Sequence, residues 1–154
     1  WVRPTGVIML FGKRNRVVKR ILVIEDEPLT AFDNEVMLKD AGYEVVATHD
    51  DFHEAVAALD RGKVDLILSD VRLRGKKTGL ELAKEAKRRG VPLLFVTGHP
   101  PDNAHELAIG CLHKPYTERQ LRKALEAIDR HLAGKKPKVP TGMELYELKG
   151  DAAS

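Results

Sequence analysis

A single cysteine, Cys111, stands in 154 residues. No internal disulfide can form, and a reducing cytoplasm is the natural compartment. No apolar run approaches the eighteen or so residues that span a bilayer, which excludes a membrane span. The body of the chain also lacks net positive charge. Residues 1–20 carry six basic and no acidic side chains, whereas residues 21–134 carry 16 basic and 20 acidic ones, a net −4. The overall charge of +3 therefore belongs to a short leader. A nucleic-acid-binding domain would place its positive charge on the fold itself, so no nucleic acid is expected. Internal repeats are absent too. What is present, 43% hydrophobic and 32% charged residues, suits one soluble domain with a real core and excludes intrinsic disorder.

Three segments follow. Residues 1–19 are read as a flexible basic extension or cloning remnant, because the apolar stretch Val7–Phe11 is too short for a signal-peptide core and most positive charge follows it. Residues 20–134 form the domain. Residues 135–154 hold Pro137, Pro140 and Gly142 and are expected to be a flexible tail with at most one helical turn at Met143–Leu148.

Between residues 20 and 134, short β-branched runs alternate with helical segments. Ile21–Ile24 is a compact apolar run closed by Glu25 and Asp26. Pro28 opens a helix in which Leu29, Phe32, Val36, Met37 and Ala41 recur at helical spacing before Gly42. Glu44–Thr48 is a second strand, and Asp51 with Glu54 starts a second helix. Leu66–Ser69 runs into Asp70. The basic loop Arg72–Gly79, with Arg74, Lys76 and Lys77, is read as a solvated surface and leads to a helix over Leu80–Arg89. Pro92–Val96 runs into Thr97, and a last strand within Ala108–Leu112 runs into Lys114. Pro100 and Pro101 leave only about Asp102–Ile109 for the intervening helix, expected to be short and mobile. Thr117 with Gln120 caps the final helix, which buries Leu121, Ala124, Leu125, Ile128 and Leu132.

Five strands, each followed by a helix, imply a parallel sheet covered on both faces, with ligands beyond the carboxyl ends of the strands. Glu25, Asp26, Asp70, Thr97 and Lys114 all lie at such ends and can converge across ninety residues of sequence. Three crowded carboxylates repel unless protonated or metal-bound. Oxygen ligands without His or Cys point to Mg²⁺. A carboxylate beside that ion can attack phosphorus, while a lysine and a hydroxyl neutralise and hydrogen-bond the transferred oxygens. The six histidines, His49, His53, His99, His105, His113 and His131, form no metal set.

Over about residues 20–133 the chain resembles the receiver domain of two-component response regulators. The resemblance is carried by Ile21-Leu-Val-Ile-Glu-Asp-Glu-Pro28, Leu66-Ile-Leu-Ser-Asp-Val-Arg-Leu73, Phe95-Val-Thr-Gly98 and His113-Lys-Pro115. It implies a flavodoxin-like (βα)5 fold with strand order 2-1-3-4-5. It further implies that Asp70 accepts a phosphoryl group from a sensor histidine kinase. Asp26 and Asp70 would bind Mg²⁺ directly, Glu25 mainly through water, and the backbone carbonyl of Arg72 would complete the ligands. Thr97 would be the switch, Lys114 would pair with the phosphoryl group, and Lys114-Pro115 would be cis. Receivers usually carry Phe or Tyr three residues before the lysine, where Cys111 stands here. With Pro92–His99, this is similar to the stand-alone FAT GUY receivers, although Val96 and His99 depart from that motif. By resemblance, Arg72 and His99 tune dephosphorylation. The implied protein is a monomer or weak homodimer, a phosphate sink or protein-interaction switch that meets other signalling proteins and hydrolyses its own phosphoryl group slowly. A degenerate receiver acting only as a binding module is the alternative. A haloacid-dehalogenase-type phosphatase is disfavoured, because Arg72 stands where that chemistry needs a second Asp.

Overall fold

The computed structural model describes residues 16–146; most of the leader and residues 147–154 lie outside the described residues. The central strand β1 (Arg20–Ile24) pairs in parallel with β2 (Glu44–His49) on one side and β3 (Leu66–Ser69) on the other. From β3 the sheet continues through β4 (Leu93–Thr97) and β5 (Gly110–His113), all parallel. The order of these five strands, β2-β1-β3-β4-β5, is the expected one. The connections after β1 and β3 lead to opposite edges of the sheet, and this switch in strand order opens a crevice above their carboxyl ends.

A sixth strand was not expected. Met143–Leu145 forms β6, antiparallel to β5 on the outer edge of the sheet. This corrects the reading of a helical turn there and of a tail without structure through residues 143–145. Met143 is buried, and burial of an apolar side chain at a sheet edge outweighs the weak helical pattern of three residues.

Five helices cover the sheet: α1 (Pro28–Asp40), α2 (Phe52–Arg61), α3 (Gly79–Arg89), α4 (Ala104–Leu107) and α5 (Glu118–Leu132). Their starts follow local chemistry. Asp51 accepts the Glu54 amide at 2.8 Å. Thr78 with Glu81, and Thr117 with Gln120, close reciprocal capping boxes. The helix α4 has only four residues, in keeping with the short element expected after Pro100 and Pro101. One apolar cluster packs α1 and α5 under one sheet face through Val23, Leu38, Leu94, Leu112, Leu125 and Ile128. A second packs α2 and α3 on the other through Ile24, Ala55, Ile67, Leu82, Phe95 and Cys111.

Two expectations need correction. The fold begins before residue 20: Val18 is fully buried, and Asp129 Oδ1 accepts the amides of Val17 and Val18 at 2.7 and 2.8 Å. In α1 the stripe Leu29, Phe32 and Val36 faces outward, at 75, 64 and 42% exposure. The buried face is Ala31, Asn34 and Leu38. Both stripes have the same spacing. Two residues of offset turn a helix by roughly 200°, so they lie on opposite sides. Buried Asn34 is satisfied by the Tyr116 hydroxyl, which donates to its Oδ1. No helix among the described residues is long and apolar enough to cross a membrane.

Candidate functional site

The ends of β1 and β3 are set side by side by backbone hydrogen bonds. The Asp70 amide donates to the Ile24 carbonyl, and the Glu25 amide to the His49 carbonyl, both at 2.9 Å. Glu25, Asp26 and Asp70 therefore open into one crevice. Each offers a carboxylate oxygen within 4.8 Å of the other two, the one such acidic or His/Cys group among the described residues. Glu25 is buried, Asp70 half-buried and Asp26 exposed, so the cluster is walled on one side and open to solvent on the other.

Lys114 reaches this group from the end of β5. Its Nζ donates to Glu25 Oε1 at 2.9 Å and to Asp70 Oδ2 at 3.0 Å. The Lys114-Pro115 peptide is cis, as the resemblance implied. Burial pulls the Lys114 ammonium downward, but its hydrogen bonds to Glu25 and Asp70 and their charges outweigh that effect and hold its pKa above the ordinary value. Burial also raises Glu25. Lys114 and the Glu27 amide, which Glu25 accepts at 3.1 Å, oppose the rise without cancelling it. A buried carboxyl kept above its usual range, beside two further carboxylates, marks a place where a cation in addition to Lys114 would be stabilised.

The Asp70 carboxylate is aimed from its other side. Oδ1 accepts the amides of Val71 at 2.7 Å and Arg72 at 3.3 Å. Only Oδ2 is left to the lysine. Arg72 thus touches the cluster through its backbone, while its side chain is exposed. Thr97 is nearly buried at the end of β4. Its hydroxyl accepts the His99 amide at 3.2 Å, and its carbonyl accepts the Lys114 amide at 3.1 Å. His99 itself is exposed. Cys111 is fully buried below this rim, and burial with the nearby Glu144 charge pushes its thiol up to about 11. The structure thus brings Glu25, Asp26, Asp70, Thr97 and Lys114 to one rim, flanked by Arg72 and His99, and leaves Cys111 inside the core.

Three supports escaped the sequence reading. Ser69 is fully buried and its hydroxyl donates to the Asp70 carbonyl at 2.7 Å. Gly79 donates its amide to the Val71 carbonyl at 2.6 Å, and an added Cβ there would sit 2.3 Å from the Asp70 carbonyl oxygen. A Cβ at Gly98, by contrast, meets only the Lys114 carbonyl at 3.8 Å, so sterics do not demand glycine beside Thr97. The basic loop is solvated as expected, with Arg74, Lys76 and Lys77 exposed, but part of it is also tethered. Arg74 pairs with Asp50 at 3.0 Å and Glu54 at 2.9 Å, and Lys77 lies 4.5 Å above the Phe52 ring. A single serine, glycine or arginine in a loop carries no periodic signal that would have marked it.

Comparison with known proteins agrees with this geometry. The family model described as response regulator receiver domain matches residues 21–126. The transcriptional regulatory protein PdtaR of Mycobacterium tuberculosis is 33% identical over 116 residues, which cover 71% of this chain and 56% of that protein. The phyllosphere-induced regulator PhyR of Methylorubrum extorquens is 37% identical over 82 residues, 52% of this chain and 31% of the relative. The chain thus spans about half the length, or less, of these curated relatives. Among solved structures, SdrG from Sphingomonas melonis Fr1 superposes with a TM-score of 0.60 at 32% identity, covering 71% of this chain and 94% of SdrG. The chemotaxis response regulator CheY4 of Vibrio cholerae gives 0.62 at 28% identity, with 70% and 96% covered.

Proposed function

The chain belongs to the response regulator receiver family, and on that premise we propose that Asp70 is its phosphoacceptor, charged by a sensor histidine kinase in a Mg²⁺-dependent reaction. The observation that carries this reading is the three-carboxylate cluster bridged by Lys114. Asp26, Asp70 and, through water, Glu25 would hold Mg²⁺, with the Arg72 carbonyl as a further ligand. When bound, the ion supplies charge neutralisation for an anionic nucleophile meeting an anionic phosphoryl group.

The chain's own residues do the rest. Backbone amides hold Asp70 Oδ1, so Oδ2 is the oxygen presented for attack. The N–P bond of a phosphohistidine breaks as the Oδ2–P bond forms, and the departing imidazole takes its proton from solvent. Lys114, bonded to Oδ2 before transfer, then turns to the phosphoryl oxygens. Thr97 exchanges its bond from the His99 amide for one to a phosphoryl oxygen. Arg72 and His99 stand beside the route of the hydrolytic water and set how long the acyl phosphate lasts. The phosphorylated chain then acts as a phosphate sink or as a switch for another signalling protein, in the cytoplasm.

The exposed stripe Leu29, Phe32 and Val36 fits a kinase partner, because α1 starts two residues beyond Asp26 and presents apolar surface next to the acceptor. Leu29→Ala with Phe32→Ala should change stability by less than about 0.5 kcal/mol, since both are exposed. The same double variant should slow transfer from the phosphorylated cognate kinase about tenfold, while labelling by a small phosphodonor stays unchanged. Equal slowing with both donors would remove α1 from the kinase contact. Screening transfer from purified phosphorylated histidine kinases tests the function itself: one donor should label the chain rapidly and at Asp70.

Magnesium should also stabilise the fold. At a hundredfold excess over its Kd, ligand linkage gives about 2.7 kcal/mol, read as a rise in Tm. The sign with pH follows from Glu25. Its raised pKa means that its contribution to the metal-free fold is fully present below the ordinary carboxylate range and is lost as pH rises through the raised value. Magnesium needs Glu25 ionised, so its stabilising effect should grow as pH rises through the raised Glu25 value. A Tm indifferent to millimolar Mg²⁺ at neutral pH would contradict the metal assignment.

A further inference from the structure

The outer edge of β5 is occupied by β6, with Cys111 opposite Glu144 and Leu112 opposite Met143. The ladder closes with the His113 amide donating to Gly142 at 2.8 Å and the Tyr146 amide donating to Ile109 at 2.9 Å. The approach is close. A Cβ on Gly110 would lie 2.4 Å from the Glu144 carbonyl oxygen, so β5 admits this neighbour only because residue 110 has no side chain.

Two contacts tie β6 to the site. His113 Nε2 lies 2.8 Å from Glu144 Oε1. His113 is opposite Thr97 in the β4–β5 ladder and directly precedes Lys114. Tyr146 packs against the apolar cluster that holds Cys111, Ala104 and Ala108. Thr97 faces His113 and Phe95 faces Cys111 in one ladder, and Cys111 faces Glu144 in the next. Thr97, Cys111, His113, Glu144 and Tyr146 are thus linked across three adjacent strands.

We propose that β6 is a strap on the β5 edge that favours the unphosphorylated arrangement of the site and loosens when Asp70 is phosphorylated. The inference rests on the receiver reading above. New negative charge on Asp70 draws Lys114 and Thr97 toward it, and these two are joined through the Lys114 amide and the Thr97 carbonyl. Their shift moves His113 against Glu144. A strand of three residues with one buried side chain is the element that yields first. Its departure bares the backbone groups of β5.

The test uses beryllofluoride with Mg²⁺ on the full chain, with fluorine NMR reading occupancy of the site and amide hydrogen exchange reading the strap. Loading should speed exchange at Tyr146 and His113 about tenfold and leave Ile67, in the sheet centre, unchanged. Coupling is reciprocal. Tyr146→Ala and Gly110→Ala, which detach the strap by different means, should each need about five- to tenfold less beryllofluoride for half-saturation. Tyr146→Phe keeps the ring and should behave as the native chain. If Gly110→Ala does not fold, Tyr146→Ala and the exchange measurement on the native chain decide alone. Full fluorine occupancy with unchanged Tyr146 and His113 exchange, or an unchanged or weakened affinity in Tyr146→Ala, would overturn the strap and leave the receiver reading standing. No bound fluorine signal at all would overturn the phosphoacceptor reading of Asp70, and the strap with it.

Discussion

Asp70→Asn should reduce phosphoryl labelling from a phosphorylated kinase to background while leaving the chain folded. The substitution keeps an oxygen for the Val71 and Arg72 amides, which hold Oδ1 at 2.7 and 3.3 Å. It removes the anionic oxygen that faces Lys114 and would attack phosphorus. It also removes one of three crowded carboxylates, and that relief offsets the lost ion pair. The Tm without Mg²⁺ should therefore hold or rise, and the Tm gain on adding Mg²⁺ should shrink. Retention of full labelling, with the label mapped elsewhere, would remove Asp70 from the chemistry. A collapse of the fold would show that the ion pair with Lys114 outweighs the repulsion, contrary to the electrostatic balance argued here.

Gly79→Ala should be the most damaging single methyl that can be added near the site. Its Cβ would sit 2.3 Å from the Asp70 carbonyl oxygen and 2.9 Å from Val71 Cα, both backbone atoms that cannot swing away. Forced overpacking of this kind costs about 1–3 kcal/mol, and here the upper end applies because the Gly79 amide is also bonded to the Val71 carbonyl at 2.6 Å. Denaturant unfolding should show a loss of about 3 kcal/mol. The displaced loop carries the amides that orient Asp70, so phosphotransfer should fall by more than stability alone explains. Gly98→Ala is the control, since its Cβ meets nothing closer than 3.8 Å. Equal stability of Gly79→Ala and the native chain would mean that the loop after β3 is free to relax, and that Asp70 is aimed by something else.

The parts of the fold legible in the sequence are those written in repeated local chemistry. The runs Ile21–Ile24 and Leu66–Ser69 read as buried strands because they are apolar and bounded by acids. Each strand end then points to a site residue without knowledge of packing. Asp51 and Thr117 announce their helices through partners three residues away. The illegible parts depend on distant partners. Val18 looks like leader until Asp129, on α5, accepts its amide. In α1 two stripes of equal spacing compete. The more apolar one loses, because Asn34 finds the Tyr116 hydroxyl inside and Leu29 and Phe32 stay outside. Strand β6 is three residues long, too short for any period, and it exists because Gly110 on β5 leaves room for it. Gly79 is likewise invisible as a requirement until the turn after Asp70 closes over it.

The candidate site was legible for a related reason. Its five polar residues sit directly after apolar runs, and a parallel sheet carries all such positions to one edge. What spacing could not supply was the division of labour on Asp70, one oxygen held by two amides and the other by Lys114.

A phosphoacceptor Asp70 becomes an acyl phosphate, and chemical trapping reads that bond at the residue. The chain is treated with Mg²⁺ and a small acyl-phosphate donor, then reduced with borohydride, which converts a phosphorylated aspartate to homoserine. Peptide mass spectrometry should find homoserine at position 70, dependent on Mg²⁺ and absent without donor. Trapping at another residue, or none under conditions that load a receiver control, would contradict the account.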